Sequence, residues 1–475
     1  MKNYALKMAL IFFGLSLIFA CEPGIVINDT TPSDFGYILY VDSTANKNAP
    51  SLQSFAHGVS GEDWLLFAGR TNVINDDGGL HDISGNYTNT SFLPTTFNDS
   101  IFVYNVSTDQ RKGISLSQMK AILKNNNFPE NLKALKGFEH VFRNSNPLVK
   151  QDGEFLYVVG GYGPEFYTPA KPKKGKSPKY NFITYNHVAK IHVPSLISLV
   201  YGNYENVDKG KLFSFGRDNS LISTGGELHK AGNKFYVVMG HCFGNNCTPF
   251  QKYVDAAYPF KVAPYKDSIH SLKVSVGTAI TDVSDPTNPI ADNISAFRRR
   301  DGPITPAIYK SPVSGKIQEG IAVYSGVFKP GSDTDLQAWN DALYIHPNWA
   351  NSESKLFTYD KDFNLKNYNA YACPSFVVYD SIGEVSQTFL LGGIGDGKPA
   401  PNGNLTGFTN TAVRIETNIA IYPLRSTHEL INPGNLYSKD SDNATPPFYG
   451  TEAVLFSNSA LPVVKASSIN LKTNR

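Results

Sequence analysis

Only 18% of the 475 residues are charged, and acids and bases nearly balance at 41 against 43. A chain this sparsely charged and this rich in aromatics is neither a coiled coil nor disordered. One apolar run, Met8 to Ala20, lies near the N-terminus and no comparable run follows it, which excludes a polytopic membrane protein. There is no nucleophile elbow, no zinc-protease helix motif and no phosphate loop. Cysteines number four. Cys242 and Cys247 share one loop with His241, a set too small for structural zinc. No metal and no cofactor is expected. What the chain does have is 39 glycines, 29 prolines and 12% aromatics, too many turns for a helical bundle and a composition suited to short β-strands.

Lys2 and Lys7 precede the apolar run, which closes on Leu17-Ile18-Phe19-Ala20 before Cys21. A positive start, a short apolar stretch and a small residue before the cut are expected to form a secretory signal over residues 1–20. The cysteine that follows resembles a bacterial lipobox, although Phe19 is bulkier than the usual residue there. That resemblance implies lipidation of Cys21, a tether over 21–34 and residence in the cell envelope as an outer-membrane lipoprotein, facing the periplasm or the surface. The alternative is an ordinary cleaved signal with an incidental cysteine. The leader's two lysines account for the whole formal charge of +2, so the remainder is neutral. Neutrality argues against nucleic acid as a partner, and the membrane is expected to be met through the lipid anchor alone. Lys171, Lys173, Lys174, Lys176 and Lys179, interleaved with prolines, read as a solvated loop. Export permits a disulfide between Cys242 and Cys247, with free thiols as the alternative. Cys373 is expected to be a buried small apolar residue.

Five apolar runs close on glycine: Trp64–Gly69, Phe155–Gly161, Phe235–Gly240, Ile321–Gly326 and Phe389–Gly393. Each follows a polar turn after a shorter extended segment, which reads as a β-hairpin. A third run follows each hairpin: Ile101–Tyr104, Val188–Ile191, Pro259–Val262, Ala342–Ile345 and Ile419–Tyr422. Four short strands per unit, repeated, are expected to form propeller blades. The pattern resembles the kelch-type β-propellers. Gly160-Gly161 and Gly392-Gly393 match their glycine doublet; the other three closings are degenerate, and the usual tryptophan after the third strand is missing. Expected is one all-β domain over 35–475, a six-bladed ring with seven blades as the alternative. The strand Gly36–Asp42 would close it by pairing with a C-terminal hairpin at 451–464, removing open edges. Ser115–Lys124 has helical spacing with a capping serine, and Pro194–Val200 reads as a second short helix.

In such a ring the innermost strands start on the face that carries the loops between strands two and three. These loops are long here, while the turns between strands one and two are mostly short. One face therefore displays loops for recognition. Residues expected at the channel mouth are His57, Arg143, Glu227, Arg300, Asp301 and Glu452 from the starts of strand one, with Arg70, Asn72, His241 and Asp396 from the loops. Arginine suits carboxylates through its bidentate fork. Acids and asparagine suit sugar hydroxyls, and Tyr162, Phe166, Tyr167, Phe243 and Tyr258 offer stacking faces. In Arg298-Arg299-Arg300-Asp301, alternation turns Arg298 and Arg300 to one side and Arg299 to the other. A bound anion and a purely structural arginine–aspartate pair both remain open. Asp76-Asp77-Gly78-Gly79 and Ser332–Asp335 read as solvated turns rather than calcium loops.

The function expected is a binding module that meets a glycan or an envelope protein through the long-loop face. The alternative is a carbohydrate-active enzyme, a sugar mutarotase, epimerase or glycosidase with its site at the channel mouth. The kelch resemblance implies this alternative, because secreted propellers of that kind include a sialic-acid mutarotase and carbohydrate oxidases.

Overall fold

Each of the five apolar runs forms the second strand of a four-stranded antiparallel sheet, in the computed structural model. It describes residues 48–71, 94–167, 180–282 and 295–431, with gaps at 267, 313, 328, 330–338, 348–355, 361, 366–367, 381–382, 394–411 and 421–423, and short strands at Ile25–Val26, Tyr40–Val41 and Ile469–Asn470. Blade one holds Ala56–Ser60, Asp63–Phe67, Ser100–Asn105 and Gln110–Ser115. Blade two holds Leu148–Asp152, Phe155–Val159, His187–His192 and Phe213–Arg217. Blade three holds Glu227–Ala231, Lys234–Val238, Ala257–Tyr265 and Ser268–Val276. Blade four holds Ile304–Lys310, Ile317–Tyr324, Ala342–Ile345 and Phe357–Asp360. Blade five holds Ser375–Asp380, Val385–Leu391, Ala412–Asn418 and Ser426–Ile431. The first strands of successive blades touch one another in chain order, which sets them around a common axis. The chain is an all-β propeller.

The apolar runs are continuous rather than alternating because both faces of each blade are covered. Leu156 and Val158 face a core shared with blade one, whereas Tyr157 and Val159 face one shared with blade three. In blade three, Phe235 and Val237 turn toward blade two while Tyr236 and Val238 turn toward blade four. Ile321 and Val323 face blade three, and Ala322 and Tyr324 face blade five. Helix α1 (Leu116–Asn125) is capped by Ser115 and Gln118 in a reciprocal capping box, and buries Met119 and Leu123. Helix α2 (Pro129–Leu135) follows. Helix α3 (Val193–Tyr201) lies between the third and fourth strands of blade two and buries Leu196, Leu199 and Val200 in the core between blades one and two.

The glycine doublets have a conformational cause. The last two residues of each apolar run both take positive φ: Ala68 and Gly69, Gly160 and Gly161, Met239 and Gly240, Ser325 and Gly326, Gly392 and Gly393. The second member in three blades donates its N–H to the next blade's segment, to Asn144, Ser223 and Arg299 carbonyls at 2.7, 3.0 and 2.8 Å. A Cβ on Gly160 would lie 2.1 Å from the Ser223 carbonyl oxygen. Glycine is required there by both dihedral and contact.

A second fivefold feature lies just before strand one. Ser54, Asn146, Gly225, Asp301 and Ala372 all have positive φ. Their main chains link blade to blade: Asn146 N–H donates to Ser54 C=O at 3.0 Å, Asp301 to Gly225 at 2.8 Å, and Ala372 to Asp301 at 2.8 Å. A belt of peptide groups thus lines part of the channel mouth, and between Asn146 and blade three the link is the Thr224 hydroxyl, which donates to the Asn146 carbonyl at 3.2 Å.

One expectation needs revision. The third strand of blade five is Ala412–Asn418, not Ile419–Tyr422, because Ile415 and Val413 are the residues that reach the core. Tyr40–Val41 of the expected closing strand pairs with Ile25–Val26, within the residues expected as a tether. The C-terminal hairpin at 451–464 lies outside the described residues, as do Cys21 and the leader; Ile469–Asn470 adds a parallel strand beside Ser375–Asp380. Cys373 is buried and free.

Candidate functional site

The segment that leads into each first strand pairs with the residue leaving the second. Thr224 bridges His241, and Arg300 bridges Val327. This pairing brings His241 of blade three and Arg300-Asp301 of blade four to one place at the channel mouth. Arg300 Nη1 donates to His241 Nε2 at 3.0 Å, and its Nε lies 3.3 Å from Asp301 Oδ2. Burial and the Arg300 charge hold the imidazole well below its usual pKa, so it is a neutral acceptor. A Cβ on Gly225 would stand 2.8 Å from Asp301 Oδ1, so glycine lets the carboxylate settle there.

Glu227, two residues further on, is close enough for its carboxyl to feel that of Asp301. Burial first, then the Asp301 carboxylate, pushes its carboxyl up to about 7, with Lys150 of blade two opposing. Burial also raises Asp301, against the pull of Arg300. Tyr253 pairs with His241 across a two-stranded loop sheet, His241–Phe243 with Gln251–Tyr253, and the rings are 5.7 Å apart. The Arg298 guanidinium stands over Tyr253 at 4.5 Å. Arg299 turns the opposite way, as alternation requires. It is fully buried against Asp341 at 2.6 Å and over Trp339.

An aromatic band leads away from this cluster across three blades. His241 and Phe243 rings are 5.8 Å apart, Phe243 and Phe250 4.9 Å, Tyr162 and Phe243 5.4 Å, and Tyr162 and Phe182 5.7 Å. Phe97 of the blade-one loop continues it to Phe182 and Tyr167. Phe250 and Phe166 are 50% and 64% exposed, whereas Phe97 and Tyr162 within the band are buried. The blade-three loop that carries Phe243 and Phe250 is bonded internally by Cys242–Cys247, with Cα atoms 5.8 Å apart. It docks on blade two: Asn246 exchanges side-chain bonds with the Thr184 main chain at 3.1 and 2.8 Å, and Thr184 Oγ1 donates to the Phe243 carbonyl at 2.7 Å.

The sequence candidates thus divide. Glu227, His241, Arg300 and Asp301 come together. Arg143 stands apart, its guanidinium 3.7 Å from the Tyr167 ring and bonded to the Pro94 carbonyl. Among the described residues nothing joins Arg143 to a carboxylate, so the two arginines do not converge on one pocket. Arg70 is 2% exposed and bonded to Gln53, a fastening of blade one rather than a displayed group. His57 is buried, and burial pushes it down to about 4. Tyr258 lies in the third strand of blade three, against the core shared with blade two, and offers no loop face. Asn72, Glu452 and Asp396 lie outside the described residues, as do the two aspartate-rich turns and the lysine-rich loop.

Tyr253, Arg298, Lys150 and the aromatics Phe97, Phe182 and Phe250 were not singled out for the site from the sequence. The one available signal was for Arg298 and Tyr253: alternation put Arg298 beside Arg300, and Tyr253 lies within the long blade-three loop.

No family model matches the chain, and no curated protein matches it. Among solved structures, that of YjhT aligns over 83% of this chain and 87% of its own, at 10% identity and a TM-score of 0.37.

Proposed function

We propose that this chain is a kelch-type propeller, held in the bacterial envelope by lipid on Cys21, that binds a glycan across its long-loop face. One observation carries the reading: the aromatic band over blades one to three ends at the charged mouth formed by Glu227, His241, Arg298, Arg300 and Asp301. Aromatic faces stack on the C–H faces of sugar rings, while carboxylates and guanidinium groups meet hydroxyls and acids. The exposed Phe250 and the half-buried Phe182 and Phe243, beside those charges, suit an extended oligosaccharide better than an apolar protein patch does. A glycan array probed with the folded protein tests it. Binding that falls at least tenfold in Phe250→Ala and in Arg300→Met supports the reading. A blank array with capture of an envelope protein transfers the face to a protein partner.

Sugar chemistry at the mouth is the second reading, and Glu227 favours it. A carboxyl titrating near 7 beside a second acid both gives and takes a proton at neutral pH. Turnover or anomer interconversion of an array-positive sugar, lost in Glu227→Gln while binding persists, would establish the enzyme. The anchor is tested by Cys21→Ser, and unchanged membrane association would remove it.

A further inference from the structure

The third and fourth strands of blade three, Ala257–Tyr265 and Ser268–Val276, are nine residues each, longer than their counterparts in the other blades. The hairpin leans sideways until Ser271 bridges Phe215 in parallel, joining blades two and three into one eight-stranded sheet. Beneath it opens a cleft of about 210 Å³, with Phe155, Tyr157, Lys190 and Ser214 on the blade-two side. Val262, Pro264, Ile269 and Leu272 face them from the hairpin.

Tyr157, Lys190 and Ser214 are cross-strand neighbours on adjacent strands, so their side chains share one face. Ser214 Oγ is used, donating to the Ile269 carbonyl at 2.6 Å. The other two are not. Lys190 Nζ sits 4.0 Å from the centroid of Phe155 and has no hydrogen bond or ion pair among the described residues. The nearest acid to act on it, Asp152, is bonded to Lys230 at 2.5 Å. The Tyr157 hydroxyl likewise has no hydrogen-bond partner among the described residues. Burial pushes the Tyr157 phenol up to about 12, so it stays a donor. Lys211 at the rim is already paired with Asp208 at 3.1 Å. An ammonium over the Phe155 ring and a hydroxyl, both donors without a hydrogen-bond partner among the described residues, thus line a cleft whose other walls are mostly apolar, with Lys211 at its rim.

We propose that this cleft is a second binding site, separate from the channel mouth, for a small amphiphilic carboxylate. The carboxylate would lie between Lys190 and Tyr157, and a single ring or short acyl chain against Phe155, Val262, Ile269 and Leu272. The volume suits it: an apolar cavity of about 150 Å³ holds benzene, and this cleft is somewhat larger. The site does not depend on the glycan reading, because none of its residues belongs to the mouth.

The test is calorimetric titration of the folded protein with benzoate and with octanoate, against benzyl alcohol and octylamine. Binding of a carboxylate in preference to its neutral and cationic counterparts is expected. Lys190→Met should weaken it about ten- to hundredfold, and Tyr157→Phe, which keeps the ring, a few-fold. Ile269→Asp changes an exposed wall residue, so it keeps the fold while placing an acid in the cleft; it should abolish octanoate binding. Arg300→Met at the mouth should leave octanoate affinity unchanged. Equal binding of the alcohols, no carboxylate binding at millimolar concentration, or full affinity in Ile269→Asp overturns the proposal.

Discussion

Two adjacent arginines should respond to the same substitution in opposite ways. Arg299 has no exposed surface; Nε donates to the Ala296 carbonyl at 2.6 Å, and Nη1 reaches Asp341 at 2.6 Å and the Ser325 carbonyl at 3.1 Å. Arg299→Met removes that charge and leaves the Asp341 carboxylate, itself buried, with the Tyr359 hydroxyl. Breaking one side of a buried ion pair costs about 3–5 kcal/mol, a large fraction of the ~5–15 kcal/mol that holds a domain folded. Arg300→Met removes a partly exposed guanidinium bonded to His241 and Asp301. Asp301 can answer by taking up a proton, which limits the cost to about 1–2 kcal/mol. Urea unfolding followed by fluorescence gives both values, provided the slope with denaturant is unchanged. Below its own midpoint, Arg299→Met should retain glycan binding while Arg300→Met loses it. If Arg299→Met costs less than about 1 kcal/mol, or the two variants cost the same, the division into an inward structural arginine and an outward ligand-facing one is wrong.

Three further outcomes are expected. Because the folded state raises the Glu227 carboxyl from 4.5 to about 7, the folded protein binds more protons than the unfolded chain between those values. Its contribution to stability should therefore fall as pH rises from about 5 to 7, and thermal melts of Glu227→Gln should lack this part of the slope; parallel curves for both proteins would refute it. Opening the Cys242–Cys247 ring with paired serines should cost about 2 kcal/mol by loop entropy and weaken glycan binding through the displaced Phe243 and Phe250, seen as a lower midpoint and lower affinity without reductant. Gly160→Ala meets the Ser223 carbonyl as well as an unfavourable φ, and should cost more than about 2 kcal/mol. Gly61→Ala, with φ +60 and nothing within 4 Å, should cost only about 1 kcal/mol; equal melting points for the two would remove the close-contact argument.

The strands were legible because burial on both faces writes itself as an unbroken apolar run, as in Phe235–Met239. The glycine endings were legible in part: Gly160-Gly161 satisfies two left-handed positions openly, whereas Ala68 and Met239 meet the same dihedral demand without looking like it. At the mouth, Arg300, Asp301, Glu227 and His241 could be placed by topology, since strand starts and loop starts share a face. The same reasoning promoted Arg70, whose position is right but whose guanidinium is turned inward to Gln53; rotamer and partner are not written in strand order. Tyr162, Tyr167 and Phe243 of the aromatic band were legible as loop aromatics, but Phe97, Phe182 and Phe250 eluded the sequence because they are brought together by blade-to-blade docking through Thr184 and Asn246, not by spacing.

The peptide belt around the mouth separates manufacture from purpose. Its links Ser54–Asn146, Gly225–Asp301 and Asp301–Ala372 are made by main-chain groups, while blade three meets Asn146 through the Thr224 hydroxyl. At those three links no side chain is needed, so the positions on them work as sockets. A designer could exchange the plugs at Ser54, Asn146 and Ala372 while leaving those links intact, and so retune what the opening accepts; Gly225 and Asp301, packed against each other, would have to change together.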